Sequence, residues 1–186
     1  MNVWTPKPLT RSGADAARHR FCSGRAFQWR TIPGLNCSGR RAVDNCSKIC
    51  HGLLAGKSLK GIDVVTELSR ICLVEGCFPQ RIQCDNGSEF ISKEMDLWVY
   101  SNGVTLDFSR PGKPTDNPYV ESFNGKFRDE CLSVNWFLSL DDVRRKIEDF
   151  RWEYNHFRPH STLNDLTPKE FVNLHHETPK TLLSTV

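Results

Sequence analysis

The sequence predicts a layered α/β fold, because short β-prone runs alternate with amphipathic helical runs from Arg41 onward. Capping and turn residues fall at the joints between those runs and set the order of elements. Residues 1–40 stand apart from this pattern. They show neither two-residue nor 3.6-residue hydrophobic order, and Pro6, Pro8, Gly13, Gly24, Pro33, Gly34 and Gly39 interrupt them. A poorly ordered basic segment is expected there, followed by a core over 41–174 and a frayed tail over 175–186.

Within the core, residues 41–46 and 50–55 read as two strands joined by a turn at 45–48, which makes a hairpin. Ile62, Val65, Leu68 and Cys72, with Val64 and Ile71 beside them, recur at three and four residues. They predict a helix over 61–75 that stops at Gly76 before Pro79. Arg81 to Cys84 is a short buried strand ending at Asp85. Ser92 caps a helix carrying Met95, Trp98 and Val99, and Val104 to Phe108 is a further strand. Asn117 and Pro118 form an N-cap and first helical residue, which puts Glu121 in the first turns of a helix. Ser139 caps another helix, with Asp141 and Asp142 in its first turn and Val143, Ile147, Phe150 and Tyr154 on one face; Pro159 closes it. Thr167, Pro168 and Glu170 start a last short helix through Leu174.

Composition narrows the class. The 186 residues include 38% hydrophobic and 25% charged residues, ordinary values for a soluble globular chain. No run of about 18 apolar residues exists and the N-terminus lacks signal-peptide order, so a cytosolic protein is expected. The eight cysteines are scattered without Cys-x-x-Cys pairs, which favours reduced, packed thiols over a disulfide framework or a zinc site. Residues 1–40 hold six Arg and one Lys against Asp15 alone, a net +6; the remaining residues carry −3 within the chain total of +3. Such a basic arm suits phosphate contacts, and it equally suits an unfolded segment.

Two acids stand out. Asp85 follows the apolar run ending at Cys84, Glu121 opens a helix, and 35 residues separate them. Each has a bland reading: an Asp before Asn-Gly is a turn residue, and a Glu in a first helical turn complements the dipole. Their surroundings weigh against that reading. The segments Gln83-Cys84-Asp85-Asn86-Gly87-Ser88-Glu89-Phe90, Pro111 to Asn117, Glu121 to Lys126 with Arg128, Tyr154-Asn155-x-x-Arg158-Pro159-His160 and Thr167-Pro168-x-Glu170-Phe171 occur in order. Together they resemble the integrase catalytic core of bacterial insertion-sequence transposases related to retroviral integrases.

The resemblance implies a ribonuclease-H-like mixed sheet flanked by helices, and DNA nicking and joining by polynucleotidyl transfer. Carboxylates in such a core hold two Mg²⁺ or Mn²⁺ ions about 4 Å apart; here the implied catalytic and metal ligands are Asp85 and Glu121. Arg128 lies seven residues past Glu121, ~10.5 Å up the helix, and with Lys113, Arg110 and Lys126 is implied to meet DNA backbone. Its bland alternative is an ion pair with Asp129 or Glu130. His156 and His160 stand at helical metal spacing, but Pro159 ends the helix between them, so local hydrogen bonding of Arg158 and His160 is expected instead. The implied partners are transposon-end and target DNA, further copies of the chain, and an end-binding domain or separate chain.

One feature of the family pattern is missing. A third acid is expected in a strand about 20 residues before Asp44, where this sequence has Ser23-Gly24-Arg25-Ala26-Phe27. The simplest expectation is that residues 1–40 are out of register with the family, as a frameshift or truncation would leave them. The first strand is then lacking or degraded, and Asp15 and Asp44 are the only substitutes for the missing ligand. A non-catalytic DNA-binding remnant is the alternative function, tested by salt-sensitive binding indifferent to Asp85→Asn.

Overall fold

The computed structural model describes residues 26–31, 38–109 and 118–177; the side chains of 26–31, 118–121 and 176–177 lie outside that description. Five strands form one sheet in the order β3-β2-β1-β4-β5. They are β1 (Ala26–Thr31), β2 (Ser38–Asp44), β3 (Cys50–Gly56), β4 (Arg81–Cys84) and β5 (Thr105–Phe108). β1, β2 and β3 pair antiparallel in sequence, whereas β4 runs parallel to both β1 and β5. The sheet is therefore mixed, as expected.

β1 corrects one expectation. The sheet does not lack its first strand: Ala26–Thr31 lies at its centre, paired on one side with β2 and on the other with β4. The sequence carries a signal for it, since Phe27 and Trp29 alternate with Gln28 and Arg30 between Gly24 and Pro33-Gly34. Residues 26–31 and 38–40 are thus regular, while Asp15 lies outside the described residues.

Helices close over both faces. Helix α1 (Gly61–Glu75) buries Val64, Leu68, Ile71 and Cys72 and ends at Gly76, whose φ of 68° is the left-handed cap conformation glycine tolerates. Its stripe sits slightly round from the expected one: Ile62 is exposed and Val65 only partly buried. Helix α2 (Lys93–Asn102) is capped by Ser92, whose hydroxyl accepts from the Met95 N–H, and it buries Met95 and Trp98. With Ala42, Ile82, Cys84, Phe90 and Val104 these residues make one core.

Val43, adjacent to Ala42, packs into a second core, because successive strand residues face opposite sides. That core is built by α3 (Pro118–Phe127), a following π-helical turn (Arg128–Leu132) and α4 (Leu140–His156). Ser139 caps α4 by accepting from Asp142 N–H, and Val143, Ile147, Phe150 and Tyr154 are buried as their spacing predicts. Phe123, Phe127, Phe150 and Tyr154 pack with edge-to-face contacts of 4.9–6.0 Å between centroids. Helix α5 (Pro168–Glu177) packs on α4 and continues three residues past Leu174, so the tail begins later than expected. The capping box is formed: Thr167 N–H donates to Glu170 Oε2 at 2.8 Å and Glu170 N–H to Thr167 Oγ1 at 3.2 Å.

Cys46, Cys50, Cys72, Cys84 and Cys131 are free thiols, as expected of packed cysteines. Burial pushes Cys50 and Cys72 up to about 12 and Cys131 to about 11, so all three stay protonated. Cys77 departs from that pattern and is disulfide-bonded. Among the described residues no helix is long and apolar enough to cross a membrane.

Candidate active site

Asp85 stands one residue past the end of β4, where the strand holds it rigidly. Its Oδ1 accepts from Gly87 N–H at 3.2 Å, and the loop is tied to the end of β5. Asn86 Nδ2 donates to Ser109 O at 3.2 Å, while Ser109 N–H and Oγ both donate to Cys84 O. Glu89 is buried and paired with Arg40 of β2. A Cβ on Gly87 would lie 2.5 Å from the Glu89 carboxylate, so a larger residue in this turn would push that carboxylate off its pairing with Arg40.

The sheet fixes what surrounds Asp85. Trp29 pairs with both Ala42 and Cys84, and Arg30 with Arg41, so Arg30 continues the row to Asp85. Arg41 is buried to 1% exposure. Its Nη1 donates to Asn124 Oδ1 on α3, and its guanidinium lies 5.4 Å from the Phe123 ring centroid. Asn124 is one turn beyond Glu121 on α3. The helix bearing Glu121 therefore crosses β2 in the Asp85 row, about two strand spacings or ~10 Å away. Both arginine contacts, Arg40 with Glu89 and Arg41 with Asn124, join residues far apart in sequence. Their only local sign is the Arg40-Arg41 pair itself, two cations in a run otherwise read as a strand.

Asp44 is not a substitute ligand. Its carboxylate accepts from the N–H groups of Cys46 and Ser47 and from Ser47 Oγ, which locks the β2–β3 turn. Pairing of Asp44 with Phe27 and of Phe27 with Ile82 places it three rows and two strands from Asp85. That is ~10 Å along the sheet and ~10 Å across it.

The basic residues divide. Arg128 opens the π-helical turn, is exposed, and has no ion-pair partner among the described residues; Glu130, one of its expected partners, instead pairs with Arg158. Lys126 lies ~140° around α3 from Glu121 at 100° per residue, so it does not share the Glu121 and Arg128 side. Arg110, Lys113 and the Pro111 to Asn117 loop lie outside the described residues. His156 stacks on Trp152 at 4.9 Å, whereas His160 meets Tyr154, so the two imidazoles do not form a pair.

Sheet order, a carboxylate at the end of an inner parallel strand and a helix crossing beside it place the chain in the ribonuclease-H-like fold class. Models of the integrase core domain match residues 40–114 and 102–168. A protein of insertion element IS407 from Burkholderia multivorans is 43% identical over 146 residues, which is 76% of this chain and 52% of the relative. The BIV integrase catalytic core superposes with a TM-score of 0.65 at 16% identity, covering 81% of this chain and 95% of that one. An HTLV-2 integrase core solved with magnesium has a TM-score of 0.56 at 18% identity, covering 78% and 94%. Residues 40–168 belong to the integrase core domain family; the chain spans about half the length of the IS407 protein it matches.

Two divalent ions need several hard oxygen donors around them. Here β1, with the sequence AFQWRT, has no acid, and Arg30 takes the row beside Asp85. Asp44 is committed to its turn, and among the described residues no three His, Cys, Asp or Glu side chains come together. Among the described residues, with two arginine positions in the row of Asp85 and no cluster of acids beside it, the donor set does not fit a two-ion site.

Proposed function

We propose that the chain is the integrase-core part of an insertion-sequence transposase acting on DNA, and that it holds DNA while joining strands poorly. Asp85 and Glu121 are its two remaining catalytic acids, and Arg128 with Arg110 and Lys113 contacts backbone phosphates. The observation that carries the impairment is β1: the strand is present and paired on both sides, yet Arg30 stands in the row where Asp85 needs a carboxylate neighbour. The family match beginning at residue 40 supports the same reading, because β1 lies outside it. By analogy with the dimeric and trimeric HTLV-2 cores, the chain works as a homo-oligomer.

The purified chain should bind labelled duplex DNA in a salt-sensitive way and show little or no nicking or joining with Mg²⁺ or Mn²⁺. Asp85→Asn should leave that binding unchanged. Robust metal-dependent joining, abolished by Asp85→Asn, would instead establish an active polynucleotidyl transferase.

A further inference from the structure

Lys126, Arg158 and His160 converge where the end of α3 meets the segment after α4, and Lys48 reaches the same place from the β2–β3 turn. The charges there are unbalanced. Glu130 on the π-helical turn engages Arg158, and Asp44 stands beside Lys48. Lys126 has no acidic partner among the described residues; burial and the neighbouring Arg158 cation both push its pKa down.

His160 is unmet as well. Its ring is packed edge-on to Tyr154, with centroids 5.0 Å apart, and its backbone N–H donates to Leu166 O at 3.0 Å. Its Nε2 is buried without a hydrogen-bond partner among the described residues, a costly state for a polar atom. Burial, then Lys126, Arg158 and Lys48, hold its pKa down to about 4, so the ring is neutral. A half-buried ammonium and a guanidinium near a buried imidazole nitrogen that has no partner among the described residues lack one thing: an oxyanion that can accept from all three.

We propose that Lys126, Arg158 and His160 form a phosphate subsite that takes one backbone phosphate of bound DNA, apart from the Asp85 end of the sheet. This rests on the DNA reading above. The source is DNA because a duplex held as proposed above presents a row of backbone phosphates to the surface of the core. His160 donates to the phosphate as an imidazolium, and the arriving anion offsets the cations that otherwise keep the ring neutral.

The test is to follow the His160 imidazole by NMR across pH 3.5–8 in the unmodified chain, alone, with saturating duplex DNA, and with inorganic phosphate. DNA should raise the His160 pKa by at least one unit, and inorganic phosphate at equal phosphate concentration by less. Lys126→Gln should lower the salt slope of DNA binding by about 0.9, one phosphate contact. A shift with inorganic phosphate but not DNA would overturn the backbone assignment. DNA binding with His160 unmoved and the Lys126→Gln slope unchanged would overturn the subsite while leaving the DNA reading intact. Absence of any DNA binding, equally in Arg128→Gln and the parent, would overturn both.

Discussion

On one face of the sheet, α1 and α2 close over Ala42, Ile82 and Cys84 with Val64, Leu68, Ile71, Met95 and Trp98. On the other, α3 and α4 set Phe123, Phe127, Phe150 and Tyr154 edge to face over Cys50 and Ala55. The first face keeps its charges beside the cluster, as the buried pair of Arg40 with Glu89. The aromatic face admits the Arg41 guanidinium, because the negative face of the Phe123 ring and the Asn124 amide oxygen both receive it. The second face therefore doubles as the support for the helix that carries Glu121, and its polar contacts aim that helix where aliphatic packing alone would only hold it.

Removing a ring should break this comparison most. Phe127→Ala is expected to cost about 4 kcal/mol and Leu68→Ala, on the opposite face, about 3 kcal/mol, both read from urea unfolding with unchanged m. Equal or reversed losses would show that the aromatic face is not the better packed of the two.

A smaller effect comes from pH, and only on the aromatic face. The native His160 pKa of about 4 lies below the usual imidazole value of ~6.5, so between them the unfolded chain binds a proton that the native ring refuses. Stability should be complete above pH 6.5 and fall towards pH 4 by of order 2 kcal/mol, allowing for solvent around the half-buried ring. Comparing unfolding midpoints with those of His160→Asn isolates the contribution, since the variant should lose that part of the slope.

The smallest expected change is a gain. Gly125 sits inside α3 with nothing within 4 Å of an added Cβ among the described residues, so Gly125→Ala should stabilise the chain by up to about 1 kcal/mol. A lower thermal midpoint would show that this stretch of α3 is packed against something after all.

What the sequence disclosed follows the range of each interaction. The helix at Gly61–Glu75 and the caps at Ser92, Ser139 and Thr167 are settled by neighbours within four residues, and all were legible. The turn after Asp85 was legible too, because it is written in the adjoining Asn86-Gly87. β1 was not. Six residues with two aromatics form a strand only because a slot exists between β2 and β4, and that slot is made by residues up to 55 positions away. Arg41 was hidden for the same reason: its partner Asn124 lies 83 residues on.

β3 is the sheet's outer antiparallel strand, and there the Asn155 amide accepts from Cys50 N–H and donates to Cys50 C=O, both at 2.9 Å. A single side chain thus impersonates the rung that a sixth strand would supply. An intruding peptide, whether from another copy or from the chain's own misplaced segments, meets an occupied position where zipping would otherwise begin. The asparagine works as a chaperone of the edge, sparing the rim from adhesion while α4 is docked.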